Sequence, residues 1–561
     1  MMRTFRNLLL TLLCAVAVVA SAQVKDSLPA LHRPLNIPLV LSGNFGELRS
    51  NHFHSGIDFK TQGKTGFRIY CAADGYVSRV LVSPWGFGRA VYVNHPSIGL
   101  TTVYGHLESF ASKIDKIVVA EQYAKESFAV DMTFGEGEIP VKKGEIIAFS
   151  GNSGSSGGPH LHMDVRDLAT GDALDPLAYY KNLLEDKVKP ELRLLALYPY
   201  DGGGLVNDTT VADYRLPADI AKPFTAWGRV VPGIKAYDKM TGVNNIFGIK
   251  YLTLYVDGKM FYKRTINRYA FSQTRAVNTL FNYADKKNSW VMVTDVPSSQ
   301  PLDDMIETDA SCGVLTIDQE RDYKCRFEMC DIYGNKSRVD FVIKGKRGDI
   351  PEKLFAGTPF HYDGYNTYNM NGLYVHFPVG TFYDDIDFTA KATPDSRYYS
   401  AIHEMGNVGI PLHQNCEMKI SLVNDTIPDK SKYCLVRING KKRSAVTARY
   451  NDGKMEAKVN RMGNYAVTVD KTQPKIVAHG KKNWAARGYV AFKISDNLSG
   501  IENFRGTVDG KWVCFEYDGK NAMVKYKFEA TRITKGKRHK VTMTVTDACG
   551  NKSSLTDYVT W

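Results

Sequence analysis

The chain is poor in cysteine and has no long apolar segment beyond its N-terminus. Nine cysteines occur in 561 residues, and no two of them form a CxxC pair. A structural zinc site with thiolate ligands is therefore not expected. After the N-terminal apolar run, no stretch is apolar for long enough to form a transmembrane helix. Helical periodicity is also scarce between residues 35 and 180, which argues against a helical fold for that region.

The N-terminus has the three parts of a secretory signal peptide. Arg3 and Arg6 precede the apolar run "LLLTLLCAVAVVA", and the small-residue sequence "ASA" follows at residues 20–22. This order predicts a signal peptide over residues 1–22, cleavage after Ala22, and export to the periplasm or beyond. Leu13, directly before Cys14, is too large for a lipoprotein site, so no lipid anchor is expected.

Positive charge exceeds negative charge in this chain. Lys and Arg number 72 and Asp and Glu 59, a formal net charge of +13. In an exported chain nucleic acid is a poor partner, and an anionic cell envelope is a better one. Residues 475–561 hold 16 basic and 8 acidic residues, a net of 16 − 8 = +8. We expect this segment to attract envelope components; the alternative is a basic face that serves only solubility.

The remaining composition predicts several all-β domains, mainly antiparallel. Runs such as "FRIYCAADGYVSRVLV" and "TTVYGHL" alternate with glycine-rich turns, which is typical of strands. About 540 residues are too many for one core. We assign a first domain to residues 23–185. Within it, residues 111–139 are expected to hold a short helix and then a strand; this segment is expected either to border the functional groove of the domain or to be a neutral surface insertion.

An internal repeat organises the rest of the chain. "AYDKMTG" and "DIYGNKS" in one copy correspond to "ISDNLSG" and "DACGNKS" in the other, and each copy contains a strand that ends in Asp-Gly-Lys. The copies occupy residues 186–347 and 471–561 and are predicted to be Ig-like β-sandwiches. A further β-rich domain of unknown role lies between them, at residues 348–470. Export would also permit disulfides, with Cys416–Cys434 and Cys514–Cys549 as candidate pairs.

The stretch "GPHLHMDV" carries the first sign of chemistry. His160 and His162 stand two residues apart in a predicted strand, so both imidazoles project from one face. Two imidazoles on one face suit a metal site, in which one binds the ion and the other handles protons. The alternative is a surface pair without function.

Further histidines favour the metal site. "NHFHSGIDF" supplies His54 and Asp58, and "VYGHL" supplies His106. Two imidazoles and a carboxylate make three N/O ligands, and catalytic zinc typically takes three protein ligands and leaves a fourth position for water. His52 is interpreted as a structural or supporting residue, and His95 as a turn residue.

These motifs resemble those of the lysostaphin/LytM-type zinc metallopeptidases, which are peptidoglycan endopeptidases. The resemblance extends to "GNSGSSGGPHLH", "AADGYV" and "VKKGEIIAFSGNSG". The resemblance covers roughly residues 35–180. It implies that His54, Asp58 and His162 bind Zn²⁺. It further implies that His160 is the general base and that His106 steadies the transition state or the attacking water.

The resemblance implies an exported endopeptidase that cuts peptide cross-links of peptidoglycan. Two alternatives stay open. One is a non-catalytic envelope-binding, adhesion or hydrolase-activating protein on a peptidase scaffold, although the complete set of site residues argues against it. The other is a zinc protease with a protein substrate, which the sequence does not separate from the first hypothesis.

Overall fold

A computed structural model describes residues 28–285 and 287–561, and strands dominate it. The predicted signal peptide lies outside the described residues. The predicted all-β class is confirmed. Every strand pair that we describe is antiparallel except one, in which a strand at Phe224–Tyr237 runs parallel to a strand at Lys336–Gly345.

The N-terminal domain is built on one large sheet, a three-stranded sheet and a two-stranded sheet. Its strands are β1 (Leu41–Gly43), β2 (Leu48–Arg49), β3 (His52–Phe53), β4 (Ile57–Lys60), β5 (Arg68–Tyr70), β6 (Gly75–Val82), β7 (Arg89–His95), β8 (Leu100–Gly105), β9 (Leu107–Phe110), β10 (Val130–Thr133), β11 (Pro140–Val141), β12 (Ile146–Ser150), β13 (His160–Asp167) and β14 (Ala173–Leu174). Its helices are α1 (Ser112–Ala124) and α2 (Leu177–Tyr180). The three-stranded sheet is β5-β12-β9, and the two-stranded sheet is β2-β3.

Sheet order decides which side chains meet. The large sheet runs β1-β4-β13-β8-β7-β6-β10, so β13 lies between β4 and β8. The antiparallel register sets Asp58 of β4 directly opposite His162 of β13. On its other side His162 pairs with Gly105, the last residue of β8. Alternation along β13 turns Leu161, Met163 and Val165 into the core, where all three are fully buried.

The first repeat forms a second large sheet. Its strands are β15 (Glu191–Val206), β16 (Asp213–Arg215), β17 (Phe224–Tyr237), β18 (Tyr251–Val256), β19 (Lys259–Thr265), β21 (Met292–Val293), β22 (Ile306–Thr308), β23 (Leu315–Ile317), β24 (Asp322–Cys330) and β25 (Lys336–Gly345). The intervening strand β20 (Arg268–Tyr269) pairs instead with β14 of the N-terminal sheet. An insertion with a 3₁₀ helix at Phe271–Thr279 packs under the peptide that precedes His54. There Thr274 accepts a hydrogen bond from the Phe53 amide at 3.1 Å. The first repeat therefore supports the loop that carries a predicted ligand.

The third unit consists of two five-stranded sheets, β27-β28-β32-β36-β35 and β30-β31-β37-β33-β34, with β26 and β29 paired beside them. Its strands are β26 (Thr358–Phe360), β27 (Asn366–Met370), β28 (Leu373–Phe377), β29 (Ile386–Phe388), β30 (Ala390–Thr393), β31 (Ile402–Met405), β32 (Cys416–Ser421), β33 (Tyr433–Asn439), β34 (Lys442–Val446), β35 (Ala448–Asn451), β36 (Lys454–Val459) and β37 (Gly463–Val469).

The second repeat has two four-stranded sheets, β38-β39-β43-β42 and β41-β40-β44-β45. Its elements are β38 (Lys475–Ala478), α3 (Trp484–Arg487), β39 (Tyr489–Ser495), β40 (Ile501–Val508), β41 (Lys511–Trp512), β42 (Glu516–Asp518), β43 (Met523–Lys527), β44 (Arg538–Asp547) and β45 (Lys552–Thr560). The Ig-like assignment of the two repeats stays a prediction.

The second repeat packs back onto the N-terminal domain. Trp512 makes an edge contact with Tyr123 of α1, with ring centroids 5.0 Å apart. Arg89 pairs with Glu516 at 2.7 Å, and Lys520 bonds to the Asn152 carbonyl oxygen. The helix and strand expected within residues 111–139 are thus observed, and the position of this segment beside a groove stays a prediction. Helix α1 faces the second repeat, and β10 lies four strands away from β13.

The suggested disulfides do not form. All eight cysteines of the described residues are free thiols. Cys434 and Cys549 lie in one buried cluster that joins the third unit to the second repeat. The predicted pairs were wrong because both partners were sought within one domain, whereas Cys434 and Cys549 belong to different domains.

Candidate active site

Three predicted ligands form a small triangle of nitrogen and oxygen atoms. His54 Nε2 lies 3.1 Å from Asp58 Oδ1 and 3.1 Å from His162 Nδ1, and His162 Nδ1 lies 2.9 Å from Asp58 Oδ1. All three side chains are buried. A tetrahedral ion with bonds of about 2.0–2.1 Å separates its ligands by about 3.3–3.4 Å. The triangle therefore has nearly the size of one face of a tetrahedral site.

A backbone carbonyl fixes the tautomer of His54. The Nδ1–H donates to the Asn44 carbonyl oxygen at 2.7 Å, which leaves the Nε2 lone pair facing Asp58. Gly56 lets this loop approach β13, because a Cβ atom there would lie 2.2 Å from the Met163 carbonyl oxygen. The glycine thus allows close contact between this loop and β13.

A buried carboxylate fixes His162. Its Nε2–H donates to Asp164 Oδ1 at 2.6 Å, so Nδ1 faces the triangle. Ser55 donates to the same oxygen at 3.0 Å, and Arg166 holds Asp164 Oδ2 at 2.6 Å. Carboxylates commonly orient metal-binding histidines in this way, and they raise the basicity of the ligand.

His160 and His106 stand beside the triangle. His160 Nδ1–H donates to the Gly158 carbonyl oxygen at 2.8 Å, while its Nε2 lies 3.4 Å from Asp58 Oδ1. His106 Nδ1–H donates to the Ser153 carbonyl oxygen at 2.9 Å, and its ring centroid is 4.8 Å from that of His160. His106 has φ 59, a left-handed conformation that is uncommon for a residue with a side chain. Such conformations cluster at functional sites.

All four imidazoles are therefore anchored in the same manner. Each donates its outer N–H to a carbonyl or carboxylate oxygen and turns its other nitrogen inward. Burial opposes the ionisation of Asp58, yet His54, His160 and His162 outweigh it and hold its pKa well below the usual range. The centre thus presents an ionised carboxylate and inward-facing imidazole nitrogens, a donor set that suits a transition-metal cation. The residues present fit a metal.

The pKa values of His162 and His106 are shifted in opposite directions. Burial opposes protonation of His162, but Asp164 and Asp58 prevail and raise its pKa to about 9. A metal that binds Nδ1 would replace this proton. Burial, reinforced by His162 and His160, lowers the pKa of His106 to about 3. His106 is therefore neutral near pH 7, with Nε2 available as an acceptor.

Sequence reasoning missed the residues around the triangle. Asp164 and Arg166 continue the alternation that singled out His160 and His162, so "HLHMDVR" sets four polar side chains on one face of β13. This alternation of polar residues along β13 could have indicated Asp164 and Arg166 from the sequence. Arg49 contacts Asp58 Oδ2 at 3.2 Å, and no local pattern indicated this contact.

His52 and His95, the two other histidines that the sequence analysis interpreted, are not part of the triangle. His52 is exposed, and its ring bonds to the Ser50 carbonyl oxygen at 3.0 Å. His95 is fully buried. Its ring contacts the Asp74 carbonyl oxygen at 3.0 Å and Thr102 Oγ1 at 2.8 Å, so it is a core residue with satisfied nitrogens.

Asp164→Asn is expected to weaken metal binding by about 10–100-fold, the usual cost of losing such an orienting partner. The amide keeps the shape but no longer enforces an N–H on His162 Nε2. Competition with a fluorescent zinc chelator measures the affinity. Asp167→Asn, at the half-buried C-terminal end of the same strand, is the control. Equal affinity in both variants would contradict the role given to Asp164.

Known metallopeptidases share sequence with this chain. It is 36% identical over 124 residues to a protein of Haemophilus influenzae named an uncharacterized metalloprotease, a match that covers 22% of this chain and 20% of that protein. It is 29% identical over 131 residues to the DD-carboxypeptidase/endopeptidase Mpg of Neisseria meningitidis serogroup B, covering 23% and 24%.

One solved structure aligns with part of this chain. The catalytic domain of the antimicrobial peptidase lysostaphin from Staphylococcus simulans aligns with a TM-score of 0.19 and 21% identity, over 26% of this chain and 92% of that one. The resemblance to lysostaphin/LytM-type metallopeptidases is confirmed. It covers about a quarter of this chain, and the matches span less than a quarter of the length of the curated relatives.

A family model matches part of the chain within the third unit. Residues 357–470 match the model of a Zu5-like domain. This match falls inside the segment, residues 348–470, to which no role could be assigned from its sequence. Among the described residues, no helix is long and apolar enough to cross a membrane.

Proposed function

We propose that this protein is an exported zinc-dependent endopeptidase that hydrolyses peptide cross-links of peptidoglycan. The observation that carries the proposal is the convergence of His54, Asp58 and His162, with their ligand atoms 2.9–3.1 Å apart and two further imidazoles beside them. Relatives named as a metalloprotease and a DD-carboxypeptidase/endopeptidase support a peptidase. The predicted signal peptide supports export.

The three ligands would hold Zn²⁺, with two imidazoles and one carboxylate as the protein donors of a catalytic site. When bound, zinc supplies a Lewis acid that polarises a carbonyl group and lowers the pKa of water. His54 and His162 are already oriented for metal binding, because Asn44 and Asp164 accept hydrogen bonds from their outer N–H groups.

His160 is the proposed general base. Its Nδ1–H is held by Gly158, so its free Nε2 can accept a proton from the attacking water. His106 has the same arrangement, and as a neutral ring its Nε2 can only accept. Of the two roles that the resemblance implies, this tautomer favours orienting the attacking water.

A non-catalytic scaffold accounts for these features less well. Envelope binding alone requires neither the buried triangle nor two additional imidazoles with free inward nitrogens. A protein substrate is compatible with the same centre, so the nature of the peptide must be tested directly.

The test combines metal content with hydrolysis. We expect about one zinc per chain by elemental analysis and release of new amino groups from purified peptidoglycan. Removal of the metal should abolish the release, and stoichiometric zinc should restore it. A zinc-free protein that hydrolyses at the original rate, or a zinc-loaded one that releases nothing from either peptidoglycan or protein substrates, would refute the proposal.

We further propose that the basic second repeat draws the enzyme to an anionic envelope surface. The turn "TKGKRHK" at residues 534–540 carries Lys535, Lys537 and Arg538, all exposed and close in sequence. Each cation near an anionic surface contributes about 1 kcal/mol, and salt screens this attraction.

Changing these three residues to Gln is expected to weaken binding to anionic vesicles by at least about tenfold at low salt, and little at high salt. Co-sedimentation measures the effect. Lys481→Gln is the control, because Lys481 already pairs with Asp557. Unaltered binding by the triple variant would mean that the basic turn serves solubility.

A further inference from the structure

The two repeats share more than turns and strand order. Each copy is introduced by the motif Asp-Lys-x-x-Pro, which begins at Asp186 and at Asp470. Each then contains Asp-x-x-Thr/Ser-Gly and, further on, Asp-x-x-Gly-Asn-Lys-Ser. In each copy the three aspartates meet, with one carboxylate oxygen from each lying within 4.8 Å of the others. The triads are Asp186, Asp238, Asp331 and Asp470, Asp496, Asp547.

The first triad is buried, and no Lys or Arg of the described residues pairs with it. Asp186, Asp238 and Asp331 are only 8%, 5% and 4% exposed. Among the described residues, Asp186 Oδ2 and Asp238 Oδ1 are buried without a hydrogen-bond partner. No ion pair within this part of the chain joins any of the three to Lys or Arg. Lys250 lies nearby, but its ammonium binds Asp175. Buried charge of this kind is costly unless a cation compensates it.

A cavity of about 20 Å³ lies among these carboxylates. That is room for a single water-sized occupant. Its lining includes Asn44 and Leu177 of the N-terminal domain besides the three aspartates. The site therefore lies at the junction between the N-terminal domain and the first repeat.

The second triad reproduces the hydrogen bonds of the first. The Asn335 side chain donates to Asp331 Oδ2 at 2.8 Å and to the Asp186 carbonyl oxygen at 3.3 Å. The Asn551 side chain donates to Asp547 Oδ2 at 2.8 Å and to the Asp470 carbonyl oxygen at 3.1 Å.

The middle aspartate has an unpartnered oxygen in both copies, although Asp496 as a whole is only partly buried whereas Asp238 is buried. Asp496 Oδ1, like Asp238 Oδ1, is buried without a partner among the described residues. Asp470 directly follows β37, so the second triad lies where the Zu5-like unit meets the second repeat.

We propose that each triad binds one calcium ion, which clamps a repeat to the domain that precedes it. The donors are all oxygen and carry three negative charges, a set that suits a hard divalent cation. Calcium accepts six to eight oxygens in flexible geometry, so bidentate carboxylates, backbone carbonyls and water can complete the shell. These sites are separate from the zinc triangle and do not depend on the proposed peptidase activity.

The test is a calcium titration of the full chain, after chelation and reloading with zinc. Isothermal calorimetry should show two calcium ions per chain, and calcium should raise the melting temperature. Asp238→Asn and Asp496→Asn should each weaken one site by about tenfold or more, since affinity follows ligand charge, and the double variant should lose both. Asp340→Asn, an exposed aspartate on β25, is the matched control.

Three results would overturn the proposal: no calcium uptake by the parent chain, equal uptake by the double variant, or equal stabilisation by the same concentration of magnesium. Unchanged melting with calcium but higher melting in mild acid would also overturn it, because the carboxylates would then share a proton. His162→Ala separates this proposal from the zinc site, since it should lose tight zinc binding yet still take up two calcium ions.

Discussion

Alanine in place of His160 is expected to leave about one zinc per chain while lowering peptide hydrolysis by about 10²–10⁴-fold, the usual contribution of a general base. The imidazole is not one of the three closest ligands, but its Nε2 faces the centre at 3.4 Å from Asp58 Oδ1. Initial rates of amino-group release, measured with zinc content on the same samples, check this expectation. Hydrolysis at the parental rate would remove His160 from the mechanism.

His106 requires a substitution suited to its backbone. At φ 59 a β-carbon is strained, and Asn tolerates this conformation better than Ala. His106→Asn should therefore keep the fold and the metal but lose most activity, as His106→Ala should. His52→Ala removes an exposed histidine two residues from a ligand and is the control for both sites. Full activity in His106→Asn would mean that the ring has no part in the reaction.

The variant that combines His54→Ala, Asp58→Ala and His162→Ala is expected to bind no zinc and to hydrolyse nothing measurable. All three donors of the triangle are then absent, and His160 and His106 alone make a poor site. Elemental analysis and the hydrolysis assay measure both losses. Because the ligands lie in one domain, the Zu5-like unit and the second repeat should stay folded.

Limited proteolysis provides the control for that folding. The C-terminal fragments should resist digestion as they do in the parent chain. Full zinc retention by the triple variant would end the assignment of this site. Loss of zinc together with general unfolding would be resolved by His54→Gln, which preserves the side-chain volume better and should still weaken zinc binding.

The central histidines were predictable because their signals are local. Strand alternation sets His160 and His162 on one face, and the same alternation extends to Asp164 and Arg166. The partner across the sheet was not predictable from spacing: Asp58 meets His162 only through the register of β4 and β13. Its place near the site came instead from the resemblance.

Contacts between domains escaped the sequence analysis. No pattern in residues 111–139 reveals that Tyr123 packs against Trp512, nearly four hundred residues later. For the same reason Cys549 lies beside Cys434 rather than Cys514. The aspartate triads were only partly predictable from the sequence. The repeat brought out the Asp-x-x-Gly-Asn-Lys-Ser motif, but only the fold shows that three distant aspartates in each copy converge.

Mass spectrometry of muropeptides tests the central claim most directly. Purified peptidoglycan digested with the zinc-loaded protein should lose its cross-linked dimers and gain monomers, each cut adding one water. His52→Ala should give the same products, and the triple ligand variant should leave the dimers intact. Dimers that persist with the zinc-loaded parent protein, while a protein or glycine-rich peptide is cleaved, would contradict an endopeptidase of peptidoglycan cross-links.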